Sequence, residues 1–123
     1  MDDPLDQAAG PITIDLFDQV DIRAGRITAA EPFPEARKPS YKLQIDFGPL
    51  GTKRSSAQLT VHYTPEELVG KTIVAVVNFP PRRIAGFSSE VLVLGLPGTG
   101  VAREGSVVLL TPERDVEPGA RVF

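Results

Sequence analysis

Twelve prolines and eleven glycines lie scattered through 123 residues, and that punctuation restricts the fold more than any other feature of the chain. Proline fixes φ and removes a backbone donor, while glycine weakens the interior of any regular element. The pieces between the breaks are too short for a helical bundle, and most of them alternate or run apolar as strands do. A chain of this length forms one domain with a continuous core and needs no metal or disulfide staple. It has no cysteine, which excludes a disulfide framework, an iron–sulfur cluster, a thiolate zinc site and a cysteine nucleophile, and suits a reducing compartment. The amino-terminal MDDPLDQAAG is acidic where a secretory signal is basic, and no apolar run approaches the ~20 residues of a membrane span. The expectation is a cytoplasmic protein without membrane insertion.

The formal charge of −3 is unevenly spread. Residues 1–21 carry six acids and no base, residues 22–95 ten bases against six acids, and residues 96–123 three bases against four acids. A mildly basic middle permits an anionic partner on one face and argues against strong, indiscriminate polyanion binding.

Residues 1–13 read as a flexible acidic leader and 14–123 as the domain. In IDLFDQV, Ile14, Phe17 and Val20 recur at helical spacing, which predicts a short helical turn laying Phe17 on the body. VDIRAGRITAA alternates, with its phase slipping near Gly25, which predicts a bulge or bend in a first strand shared between two sides of a small barrel. The proline-rich EPFPEARKPS is an irregular, ordered loop carrying Phe33, Arg37 and Lys38. YKLQIDFG sets Tyr41, Leu43, Ile45 and Phe47 on one face and Lys42, Gln44 and Asp46 on the other. TKRSSAQLTVHY is a third strand by the β-branched content of its second half. TPEELVGK carries helix signals, with Thr64 as N-cap, Pro65 in the first turn, Glu67 completing a capping box and Gly70 as stop. TIVAVVNF and EVLVLG, both apolar throughout, predict strands buried on two faces. LPGTG predicts a hairpin turn, SVVLLTP a further strand and VEPGARVF a short closing one.

Five or more short strands with one helix between the third and fourth are the layout of an all-β OB-fold, a five-stranded Greek-key barrel, here with terminal extensions. Such barrels bind ligands on strands two and three and in the adjoining loops. That face would carry Lys42, Gln44, Lys53 and Ser55, with Gln58 joining them if a bulge shifts the phase.

Pro80 and Pro81 stiffen the chain before Arg82 and Arg83, so paired guanidinium groups project from an ordered turn, where they can grip phosphate or stack on bases. A solvated turn, or a salt bridge to Glu90 or to a partner chain, is the plainer account. Lys38, Lys42, Lys53 and Arg54 stand on segments that the barrel brings together, either as a cationic groove or as scattered surface charge. Phe33 and Phe87 are the aromatic candidates beside them. Phe79, Pro80 and Ile84 form an apolar projection that suits an interface or an unfolded peptide, or plugs the end of the barrel. Ser55, Ser56 and His62 offer a nucleophile and a base without the acid and oxyanion site that a triad needs. No metal or cofactor is expected, because ligand clusters are missing and LPGTG lacks the lysine and hydroxyl pair of a phosphate-cradling loop.

VDIRAGRI, FPEARKPSYKLQIDFG, SSAQ and NFPPRRIAGFSSEVLVLG together resemble the CsaA-type proteins, which belong with the tRNA-binding domains appended to some methionyl-tRNA synthetases. The resemblance runs from about Val20 to Leu110, leaving out the acidic leader and the AREG at residues 102–105. It implies an OB-fold homodimer without catalytic activity, joined through chain-terminal segments, that binds tRNA and, in the CsaA branch, serves as a chaperone for preproteins bound for export. Matched by position, it implies that Ser55, Ser56, Gln58, Arg82, Arg83, Ser88 and Ser89 line the RNA groove. Lys42 and Lys53 would flank that groove and Asn78 would sit at its edge. The expected partner is therefore tRNA or similar structured RNA. The alternative is an unfolded preprotein held in apolar pockets near Phe79, Ile84 and Phe87.

Overall fold

The computed structural model describes residues 7–99 and 105–123. Residues 1–6 of the leader and residues 102–104 of AREG lie outside the described residues.

Strand β1 (Ile22–Pro32) is the longest and organises the others. Its first half pairs with β4 (Thr72–Val76), from Ile22↔Val76 to Arg26↔Thr72, and its second half with β2 (Tyr41–Asp46), from Arg26↔Asp46 to Pro32↔Tyr41. One strand thus serves two sides of a barrel, as the sequence predicted. Strand β3 (Thr52–Ala57) follows β2 through a 3-10 turn at Gly48–Leu50, and β7 (Leu92–Val93) adds to β4, giving an antiparallel sheet ordered β3-β2-β1-β4-β7. Helix α2 (Pro65–Leu68) lies between β3 and β4 in sequence, opened by the capping box of Thr64 and Glu67. Side chains draw β3 toward the chain before β7, because Ser55 Oγ donates to the Val91 carbonyl at 3.1 Å and Ser89 Oγ accepts from the Ser56 amide at 2.9 Å. The result is a nearly closed OB-type barrel, the predicted class.

Alternation along β2, continued by Phe47 just after it, turns Leu43, Ile45 and Phe47 inward, where they join Ile27, Leu59, Leu68 and Ile73 in one buried cluster. Each such side chain contributes about 1.5–3 kcal/mol on transfer from water. Gly25 makes room for this cluster. A Cβ there would stand 2.6 Å from Ile45 Cγ2 and from Phe47 Cε1.

Several segments depart from the sequence reading. Gly25 keeps regular register with Ile73, and the β1 irregularity falls between Ile27 and Ala29, on the β2 side. The third strand is the small, polar half of its segment, Thr52–Ala57, while the β-branched half turns away as Leu59 tucks into the core. Strand propensity did not decide between the halves. EVLVLG is divided, since Leu92 and Val93 extend the main sheet whereas Gly95–Leu96 (β8) pairs with Val108–Leu109 (β9) in a separate ribbon. Leu92 is 48% exposed, so that run is not buried on two faces. VEPGARVF forms no ladder strand, although Gly119, Ala120 and Val122 exchange backbone bonds with Ile22 and Ala24 at 2.7–2.9 Å. Helix α1 (Ile14–Asp18) forms under a Thr13 cap but buries none of its residues, and Phe17 is only half-buried.

Candidate nucleic-acid interface

The arginines lie on a strand and not in a turn. Arg82–Ile84 (β5) pairs with Phe87–Ser89 (β6) through the two-residue turn Ala85-Gly86, whose φ values are 47° and 81°. Two successive left-handed residues match the right-handed twist of a hairpin. Neighbouring strand residues face opposite ways. Arg82 therefore shares a face with Ile84, Phe87 and Ser89, and Arg83 shares the other with Ser88. The side-by-side clamp expected of Arg82 and Arg83 does not form.

The base of the hairpin is tied to β3. The Glu90 amide donates to the Arg54 carbonyl at 2.8 Å, and Glu90 Oε1 accepts from the Arg54 amide at 2.9 Å. Arg54 Nε stands 3.9 Å from the same carboxylate. Glu90 is thus committed to Arg54 and leaves the hairpin arginines alone. At the tip, the Phe87 ring meets Phe33 edge-on at 5.4 Å. Lys42 Nζ lies 4.7 Å from the Phe33 centroid and 5.4 Å from that of Phe87, and Arg54 Cζ lies 5.2 Å from Phe87. Each contact is within the range of cation–ring attraction.

Register decides which strand residues reach this surface. Lys42 opposes Ser56 and Gln44 opposes Arg54 on the outer face, whereas Lys53 opposes Ile45 and Ser55 opposes Leu43 on the inner one. The predicted binding face had taken Lys53 and Ser55 in place of Arg54 and Ser56. Ser55 is fully buried on the Val91 carbonyl and offers nothing to a ligand. Ser89, almost as buried, is occupied by the Ser56 amide. Phe33 is 3% exposed and serves as a base for Lys42 and Phe87, not as a peptide contact. Asn78 is also structural, accepting from the Asp21 amide at 3.0 Å and donating to the Gln19 carbonyl at 2.8 Å.

Three hollows surround the hairpin. The largest, about 520 Å³, gathers Arg37, Lys38, Ser56, Gln58 and Arg82 over an apolar floor that includes Ile84 and Leu92. Another, about 250 Å³, shares Ser56, Arg82, Ile84 and Leu92 with it and adds Phe79, Pro80 and Val91 beside Ser89 and Glu90. The third, about 310 Å³, holds Lys42, Gln44 and Arg54 around Phe87, with Glu31 at its edge. Gln58 reaches the largest hollow from just beyond β3, with no bulge. Arg37 is the residue that sequence reasoning passed over as a site, and its place in the loop between the first two strands was the available signal. Arg37, Arg82 and Arg83 have no ion-pair partner among the described residues.

His62 is engaged elsewhere, with Nε2 2.9 Å from Ser106 Oγ, so no pair with Ser55 or Ser56 forms. Among the described residues no cluster of histidine and carboxylate groups suits a metal, and no helix is long and apolar enough to cross a membrane.

A family model described as "Putative tRNA binding domain" matches residues 22–121. The methionine–tRNA ligase of Archaeoglobus fulgidus is 39% identical over 111 residues, which is 90% of this chain and 16% of the ligase. The crystal structure of chaperone CsaA from Bacillus anthracis str. Ames superposes with a TM-score of 0.84 and 52% identity, covering 93% of this chain and 100% of that one. The CsaA chaperone protein of Picrophilus torridus gives 0.82 and 49%, covering 92% and 100%.

Proposed function

The chain belongs to the tRNA-binding domain family, and on that premise we propose that it is a non-enzymatic, homodimeric protein of CsaA type that holds tRNA or similarly structured RNA beside the β5–β6 hairpin. The observation that carries this reading is the gathering of Arg37, Arg82, Lys42 and Arg54 around adjoining hollows, in a chain whose formal charge is −3. Arg37, Arg82 and Lys42 have no carboxylate partner among the described residues and favour phosphate oxygens, whereas Arg54 is shared with Glu90; the polar groups between them suit base edges. Binding by phosphate contact releases counterions. Three such contacts predict that tRNA affinity falls by about 25-fold between about 50 and 200 mM salt. A titration of the purified protein with bulk tRNA at those two concentrations tests this, and equal affinities would refute it.

Dimerisation has its own support. Ile14 (71% exposed), Leu16, Val20 and Phe79 (51% exposed) are large apolar side chains left uncovered around α1 and the end of β4. Asn78 and Arg121 tie that end together through the Gln19 and Asp18 carbonyls. A second copy covering this surface would double the cationic area offered to one RNA. Sedimentation should give a dimer, and Ile14→Glu with Leu16→Glu should give a folded monomer.

A second reading rests on the apolar side chains Phe79, Pro80, Ile84 and Leu92 in the smaller hollow, and on the likeness to two CsaA chaperones. Such a hollow suits side chains of an unfolded preprotein. Salt-tolerant suppression of client aggregation would support it, and its absence with intact dimer would remove it.

A further inference from the structure

We infer that the largest hollow is a subsite for one unpaired nucleotide, and that the two hairpin arginines are therefore not equivalent. The inference rests on the RNA-binding reading and specifies which feature of the RNA is held. A concavity of about 520 Å³ is of the size that encloses a small molecule. An A-form duplex presents a broad surface of phosphates and 2′-hydroxyls and cannot enter such a hollow, whereas a base turned out of a loop can. The lining supplies the three kinds of group that a nucleotide needs. Arg37 and Arg82 supply unpaired guanidinium groups for the phosphate. Gln58 provides both a donor and an acceptor, and the Ser56 hydroxyl a second polar group, for the edge of a base. Ile84 and Leu92 give an apolar floor for its face.

Strand alternation then separates the arginines. Arg82 lies on the hairpin face that borders both this hollow and the smaller one beside it. Arg83 points from the opposite face and borders neither. A general electrostatic role would make the two interchangeable, and a nucleotide subsite does not.

The test uses the full chain and three competitors of labelled tRNA: an unstructured hexaribonucleotide, a blunt RNA duplex of equal charge, and an unfolded polypeptide. The hexamer is expected to compete about tenfold better than the duplex. Arg82→Ala should weaken the hexamer about tenfold, and Arg83→Ala less than about twofold. Both residues are exposed, so both variants should fold. Equal competition by duplex and hexamer, or equal losses in the two variants, overturns the inference while leaving tRNA binding in place. Displacement of the hexamer by the polypeptide as readily as by tRNA assigns the hollow to peptide and also overturns it. If tRNA itself does not bind, the RNA-binding reading fails, and this inference fails with it.

Discussion

Phe87→Leu is the substitution that reads the hairpin most directly, because it keeps apolar bulk at the tip and removes only the ring. Three contacts are lost: the edge-on pair with Phe33 at 5.4 Å, and the approaches of Lys42 Nζ at 5.4 Å and Arg54 Cζ at 5.2 Å. A ring pair contributes about 0.5–1.5 kcal/mol beyond its buried area, and a partly exposed cation–ring contact about 0.5–1 kcal/mol. Lys42 keeps its closer ring, Phe33 at 4.7 Å, so much of its share survives. Phe87 is half-buried, which places the sum at the low end, about 1–2 kcal/mol. Urea denaturation of the wild type and the variant measures this loss. A cycle with Arg54→Met should return a coupling of about 0.5–1 kcal/mol. Amide exchange should quicken over Arg82–Ile84 and Phe87–Ser89, the two strands that the ring holds down. Loosening the hairpin adds an ordering cost on binding, so RNA affinity should fall about threefold to tenfold. A stability change below about 0.3 kcal/mol together with a coupling near zero would refute the reasoning. The cluster would then be mere proximity.

Gly25→Ala should destabilise by about 1–3 kcal/mol through overpacking against Ile45 and Phe47, read as a lower denaturation midpoint. Asn78→Ala should cost about 1–2 kcal/mol by releasing its bonds to Asp21 and Gln19, while tRNA affinity stays within twofold; a larger loss of affinity would return Asn78 to the groove. The hydrogen bond from Arg23, helped by the charges of Arg23 and Arg121, holds the Asp21 carboxyl below its usual range despite partial burial. A depressed folded value means stability that is present above the unfolded value of about 3.9 and lost as pH falls through the folded one. Melting temperature between pH 5 and 3 should therefore fall further for the wild type than for Asp21→Asn, and parallel curves would contradict the assignment.

The chain's own order of residues determined the class of fold. Proline and glycine spacing left short segments, period-two alternation identified β2 and its inward residues, and the Thr64–Glu67 capping box marked α2. These signals are local, because dihedral preference and side-chain direction are set within a few residues. The family resemblance was likewise carried by contiguous residues, the NFPPRRIAGF stretch above all. What only the tertiary structure decided is which side of the barrel each residue serves. Lys53 and Ser55 went inward and Arg54 and Ser56 outward because β3 pairs with β2 in one register, and a one-residue slip reverses every side chain. Arg82 and Arg83 were separated by becoming a strand of a hairpin, and Asn78 was claimed by the Gln19–Asp21 backbone, far away in sequence. Arg37 entered the candidate site only through the loop that folds beside Arg82. Register and docking are contacts between distant segments, chosen by how well the whole core packs, and no short window of sequence contains them.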